Sequence, residues 1–268
     1  MSRAPGVPSL GFLRRRPPRH RTSPELVRTG NLSLDLSPNG VRTDRPGAAP
    51  VVPSSASGRV PVLRGRTALS ENTPSVRIGG KQASGGALHL TLTWSTVPPD
   101  SRSAAAGLSR STDLHLGCLW EMNDGQSGVI QSLGGGEPAA RSHGATVLRL
   151  GPRSETEGET LTASLKQIGL LKRMVLFAYA IDGRPQWDAL APRLTADLRG
   201  GVTIDLVPGP APTDATICAL ASVHRVAGTL VLRREAEYLI GQQASVALAY
   251  GWNLPWASGR TVPAVRPR

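Results

Sequence analysis

Two stretches of strict alternation constrain the fold more than anything else in the chain. From Leu88 to Trp94 the large apolar residues Leu88, Leu90, Leu92 and Trp94 are separated by His89, Thr91 and Thr93. From Asp113 to Trp120 the set Leu114, Leu116, Cys118 and Trp120 alternates with Asp113, His115, Gly117 and Leu119. Successive side chains point to opposite faces in an extended chain, so this period of two predicts strands rather than amphipathic helices. The second strand runs into Asn123-Asp124-Gly125, residues that accept the positive φ of a tight hairpin, and Ser127–Leu133 is the expected partner strand.

The same grammar continues along the chain. Thr146–Leu150 reads as a short strand, and Met174–Ile181 is apolar without interruption, as a strand buried on both faces would be. Leu194–Leu198 and Val202–Val207 form a hairpin about Arg199-Gly200-Gly201, and Thr216–Val226 with Thr229–Arg233 form another about Ala227-Gly228. Leu161–Leu165 stays open, since Leu161, Ala163 and Leu165 fit a strand while Leu161, Leu165 and Ile168 fit a helix. Val97–Ser111, Gly134-Gly135-Gly136 and Asp182-Gly183 read as loops or turns. Gln242–Tyr250 is the helix expected near the C-terminus, with Val246, Ala249 and Tyr250 on one face. Short strands between Gly, Asn and Asp turns, without βαβ alternation, predict an all-β fold. The expectation is a mainly antiparallel two-sheet β-sandwich over residues 61–257 with a short C-terminal helix.

Charge divides the chain differently. Residues 1–80 hold thirteen Arg against four acids, a net charge of +9, while the remainder holds eighteen bases against fifteen acids, a net +3. The basicity of the whole, formally +12, therefore belongs mainly to the N-terminal part. Residues 1–60 are rich in Pro, Arg and Ser and poor in large apolar side chains, so they are expected to be a disordered basic arm. Within it, Asn31–Leu36 alternates as a short strand or binding segment would. Residues 258–268 are expected to form a flexible tail. Arg14, Arg15, Arg16, Arg19 and Arg21 are candidates for contacts with the phosphates of nucleic acid or of an anionic membrane surface. Phe12 is the arm's one aromatic residue, so base stacking is not provided. No apolar segment follows Arg14–Arg16, and no run of about 18 apolar residues occurs, so a cytoplasmic location is expected.

Motifs of catalysis are missing from the sequence. Gly134-Gly135-Gly136 is not a dinucleotide fingerprint, and neither a P-loop nor a GxSxG elbow is present. His115 and Cys118 stand three residues apart on a strand, hence on opposite faces, which argues against a thiol dyad. Cys118 and Cys218 read as reduced, buried thiols, and His20, His89, His143 and His224 as single surface or loop histidines. The expectation is a protein without enzymatic activity. Acids gather at Asp113, at Glu121 and Asp124, and along Glu155-Thr156-Glu157-Gly158-Glu159, the last read as a solvated turn in preference to a cation loop.

Four segments carry a family resemblance. Thr112–Gln131, TDLHLGCLWEMNDGQSGVIQ, resembles the signature strand-turn-strand of TerD-family proteins and is most similar to the TerA-like branch. Ile168–Trp187, with KRMVLFAYAIDGRPQW, looks like that branch's buried strand and Gly-x-Pro-x-Trp turn. Cys218-Ala219 resembles the start of a further strand, and Arg234–Trp256, with AYGWNLPW, the C-terminal helix and closing aromatic segment. The resemblance runs in order over roughly residues 60–257 and leaves out the arm. It implies a β-sandwich that binds calcium at acidic loops, takes part in resistance to tellurite and other chemical stress, and works with other proteins of a resistance complex.

Two departures alter what is carried over. The family's Asp-x-Asp reads Asp113-Leu114-His115 here, and imidazole suits a hard cation poorly. Where the family has an acidic Gly-Asp-Asp loop, this chain reads Leu150-Gly151-Pro152-Arg153-Ser154. Asp113 and His115 are therefore the candidate metal residues of a degenerate site, with calcium expected to bind weakly or not at all.

Overall fold

Alternation becomes ladder pairing along most of the chain. The computed structural model describes residues 63–79, 85–95, 113–132, 138–154, 156–181 and 184–256. All of them fall within the unit Ser55–Arg268. Among them run thirteen strands: β1 (Arg66–Leu69), β2 (Ser75–Ile78), β3 (Ala87–Thr93), β4 (Leu114–Met122), β5 (Ser127–Ile130), β6 (Ala139–Ser142), β7 (Ala145–Leu150), β8 (Glu159–Ser164), β9 (Leu171–Ala180), β10 (Arg193–Leu198), β11 (Val202–Leu206), β12 (Ile217–Val226) and β13 (Thr229–Leu239). Two short helices accompany them, α1 (Trp187–Leu190) and α2 (Gln243–Ala249). One sheet has the order β1-β11-β10-β3-β8-β7-β6 and the other β2-β13-β12-β9-β4-β5. Every pairing is antiparallel except β1 with β11. The expected all-β sandwich is thus the fold.

The first sheet has one apolar face. Leu88, Leu90 and Leu92 of β3, Leu161 and Ala163 of β8, and Leu194, Ala196 and Leu198 of β10 are buried against the second sheet. The opposite face is hydroxyl-rich: Thr91 lies across from Thr160, their Oγ1 atoms 2.9 Å apart, and His89 Nδ1 is 3.3 Å from Thr162 Oγ1. The β8 segment, open between strand and helix in the sequence, is a strand because its burial alternates from Glu159 onward.

The second sheet is covered on both faces. Leu114, Leu116 and Cys118 of β4, Met174 and Leu176 of β9, and Cys218 and Leu220 of β12 face the first sheet. The other side of these strands, with Leu119, Val175, Phe177, Tyr179, Ile217 and Ala219, packs beneath Val246 and Ala247 of α2 and beneath Trp252. The alternation in β4 therefore does not separate core from solvent, since Leu114–Leu119 are all buried. Gly117 admits this packing: a Cβ there would lie 2.2 Å from Phe177 Cζ, its cross-strand neighbour on β9. Arg173 ties the covering segment down, stacking 3.7 Å from the Trp252 ring centroid and donating to the carbonyls of Tyr250 and Gly251.

Elements without a clear pattern were the ones the sequence did not announce: β1, β2, β6 and α1 are short. β5 ends at Ile130, sooner than expected, and β13 continues to Leu239 through an irregularity where Ala236 takes φ +47°. The β12–β13 hairpin turns at Ala227 and Gly228, at φ 48° and 78°, as the sequence predicts. The expected loops at 97–111, 134–136 and 182–183, the Asn31–Leu36 segment and the arm lie outside the described residues.

Candidate functional site

The residue that organises the candidate site is Glu159, the first of β8. Ser154 and Gly158 close a small loop by two backbone hydrogen bonds of 2.9 Å each. Gly158 then takes φ +83°, with its α-carbon so close to β3 that a Cβ would lie 2.0 Å from the Leu92 carbonyl oxygen. Only glycine fits that approach. The strand begins immediately afterwards, and its inward parity directs Glu159 between the sheets, where it has no solvent exposure. The expected solvated turn is corrected at this position, because β8 starts at Glu159 and not after it.

Glu159 reaches across to the second sheet. β5 pairs with β4 only from Cys118 onward. The Leu116 N–H, on the stretch of β4 before that pairing, donates to Glu159 Oε2 at 2.6 Å. The Ser132 hydroxyl donates to Oε1. A carboxylate thus serves a backbone group that a strand would otherwise satisfy. Burial holds the Glu159 carboxyl above its ordinary pKa, against the Ser132 and Leu116 hydrogen bonds and the nearby Arg153, with Asp113 adding to the rise.

The two sequence candidates have different neighbours. His115 is buried on β4, its ring 5.6 Å from that of Tyr179 and its Nδ1 3.9 Å from Glu159 Oε2. Asp113, just before β4 and 41% exposed, is engaged by Arg153 Nη2. Arg153 lies in the segment after β7, with its guanidinium carbon 5.4 Å from the Trp94 ring centroid. Sequence reasoning singled out Asp113 and His115 and noted Arg153 only as part of a missing acidic loop. Glu159 lay within an acid-rich turn, and the signal for it was the adjacent Gly158 followed by the alternation Glu159, Leu161, Ala163. Arg14, Arg15, Arg16, Arg19 and Arg21 lie outside the described residues.

As arranged, these donors do not fit calcium, which takes six to eight hard oxygen ligands. The Asp113 carboxylate is turned to a guanidinium, and both Glu159 oxygens accept hydrogen bonds. Among the described residues no group of three or more His, Cys, Asp or Glu side chains is set to hold a metal ion. Nor does the corner follow the order of a hydrolytic triad, since Ser132 donates directly to the carboxylate and the imidazole is not between them. Cys118 and Cys218 are free and buried, and burial pushes both thiols far above their ordinary range, away from the reactive thiolate.

The chain is similar to a curated tellurium resistance protein, TerA, from Alcaligenes sp., with 25% identity over 202 residues. The match covers 72% of this chain and 58% of that relative, so the chain spans somewhat more than half the relative's length. No protein-family model matches the chain, and no solved structure matches it. No helix among the described residues is long and apolar enough to cross a membrane. The resemblance carried by the β4–β5 hairpin, by β9 and by the closing aromatic segment thus has a counterpart in a 202-residue similarity to a TerA tellurium resistance protein.

Proposed function

We propose that this chain is a non-enzymatic module of tellurite and chemical-stress resistance. It acts in the cytoplasm as a binding or scaffold protein among other proteins of a resistance complex, and its calcium site is weakened or lost. The observation that carries the role is the 202-residue match to a TerA tellurium resistance protein. The absence of catalysis draws support from the unreactive environment of both thiols. The calcium reading draws support from Arg153, which takes the carboxylate a cation would need.

Removing the gene from its native host and restoring it on a plasmid tests the role. Growth at graded tellurite and peroxide concentrations should fall on removal and return on restoration. Unchanged sensitivity to every stress tried would sink the proposal. A second reading, contact with nucleic acid or an anionic membrane surface through the arm, is favoured by the ten Arg against three acids of residues 1–60, a net +7.

A further inference from the structure

We infer that Arg153 is the resident cation of the Asp113–Glu159 corner, doing covalently what a bound metal ion would do and making the domain indifferent to divalent cations. The inference rests on the reading that calcium is not a working ligand of this chain, and it goes further by naming the group that replaces it. Two carboxyl groups converge on this end of β4, and Asp113 raises the Glu159 pKa while Arg153 lowers it, so the three sense one another's charge. A cation paired with Asp113 offsets its charge at this corner. The one supplied is the planar guanidinium of Arg153, a fork that matches a carboxylate.

Arg153 is held there by more than its charge. Its side chain is 23% exposed, it binds Asp113 through Nη2, and the Trp94 face lies beneath it at 5.4 Å. That combination of ion pair and cation–π contact fixes a long side chain in one position. Its Nε is buried with no acceptor among the described residues. The group therefore sits in the corner for its charge and its stacking, not for a complete set of hydrogen bonds. Because the cation is part of the chain, its local concentration does not depend on free metal, and neither does the stability of the corner.

Trp94 also provides the reporter, since a terbium ion bound near it would be sensitised by indole excitation. Full-length protein is stripped with chelator, then followed by thermal unfolding with and without calcium and by terbium emission. The wild type should show neither a calcium-dependent shift in Tm nor sensitised emission. R153Q should melt lower without metal by roughly 2–4 °C, recover with calcium, and gain emission that the double variant D113N/R153Q loses. R153K, which keeps a charge, should ignore calcium as the wild type does.

Calcium stabilisation and terbium emission in the wild type, both lost in D113N, overturn the underlying reading that the calcium site is gone. A metal-indifferent wild type whose R153Q variant is unchanged, or is destabilised without rescue by metal, leaves that reading standing and overturns the resident-cation inference. Should R153Q fail to fold, R153K decides. A folded, metal-indifferent R153K supports the charge argument, and an unfolded one refutes it.

Discussion

Glu159 and Gly117 are single residues on which packing between layers depends, and each responds differently to substitution. Glu159 accepts from the Leu116 N–H inside the molecule, so what matters is the acceptor and not the charge. E159Q keeps an acceptor of the same size and removes a carboxyl that burial disfavours in its ionised form. It should leave unfolding free energy at neutral pH unchanged or slightly raised. E159A leaves a buried N–H and the Ser132 hydroxyl without their acceptor and should destabilise by about 2–4 kcal/mol, cavity included. Urea titration of the two variants separates the roles; equal losses would mean that the charge itself is required. Gly117 is constrained by bulk alone. G117A forces a methyl group against the Phe177 ring, and overpacking of this kind costs about 1–3 kcal/mol. The double variant G117A/F177L should recover part of that loss, and no recovery would shift the cause to the backbone.

At the scale of elements, β1 shows how an edge is fastened. It has four residues, runs parallel to β11 and buries Leu69 in the core, and Arg66 adds a side-chain tie to Asp205. Arg66 Nε and Nη2 donate to the two Asp205 oxygens at 2.5 and 2.7 Å, and Arg193 Nη1 adds a bond of 3.3 Å. The Arg66 hydrogen bonds, more than burial opposes, hold the Asp205 carboxyl below its ordinary range. A depressed pKa in the folded state means stability that is present above the ordinary carboxylate value of about 3.9 and lost as pH falls through the folded one. D205N should therefore cost about 1–2 kcal/mol at pH 7, discounted for the exposure of Arg66. The gap from wild type should close as pH drops below about 4. Hydrogen exchange at Arg66–Leu69 should accelerate in the variant, and unchanged exchange would mean that the Arg66–Asp205 pair does not fasten β1.

The same scale explains what the sequence disclosed. Leu88–Trp94 and Met174–Ile181 were legible because their strands are long enough for periodicity or continuous apolarity to stand out. Ala227-Gly228 was legible because a tight turn selects residues for φ. β1 and β6 were not legible, since four residues carry too few alternations to distinguish from loop. The double burial of β4 was hidden because its second cover, α2 and Trp252, comes more than a hundred residues later. Glu159 was misread for a local reason: an acid in an acid-rich turn looks solvated until the strand parity set by Gly158 turns it inward. The Arg153–Asp113 pair joins segments forty residues apart and leaves no mark in either.

Across the whole molecule, the basic charge is concentrated in residues 1–60. Residues beyond 80 are close to neutral, whereas residues 1–60 hold ten Arg against three acids, a net +7. Binding to a polyanion through the arm would be electrostatic, and its free energy would come largely from counterions released by the phosphates. Each phosphate neutralised contributes about −0.9 to the slope of log K against log salt concentration on duplex DNA. If Arg14, Arg15, Arg16, Arg19 and Arg21 all make contact, the slope should lie near −4 to −5. Deleting residues 1–60 should abolish the salt-dependent binding to DNA and to anionic vesicles while leaving the Tm of the sandwich in place. Replacing those five arginines by glutamine within the intact chain should have the same effect, because the arm offers charge and a single aromatic residue rather than a reading surface. Retained affinity with an unchanged salt slope after the deletion would locate the contact on the sandwich and remove the arm from the reading.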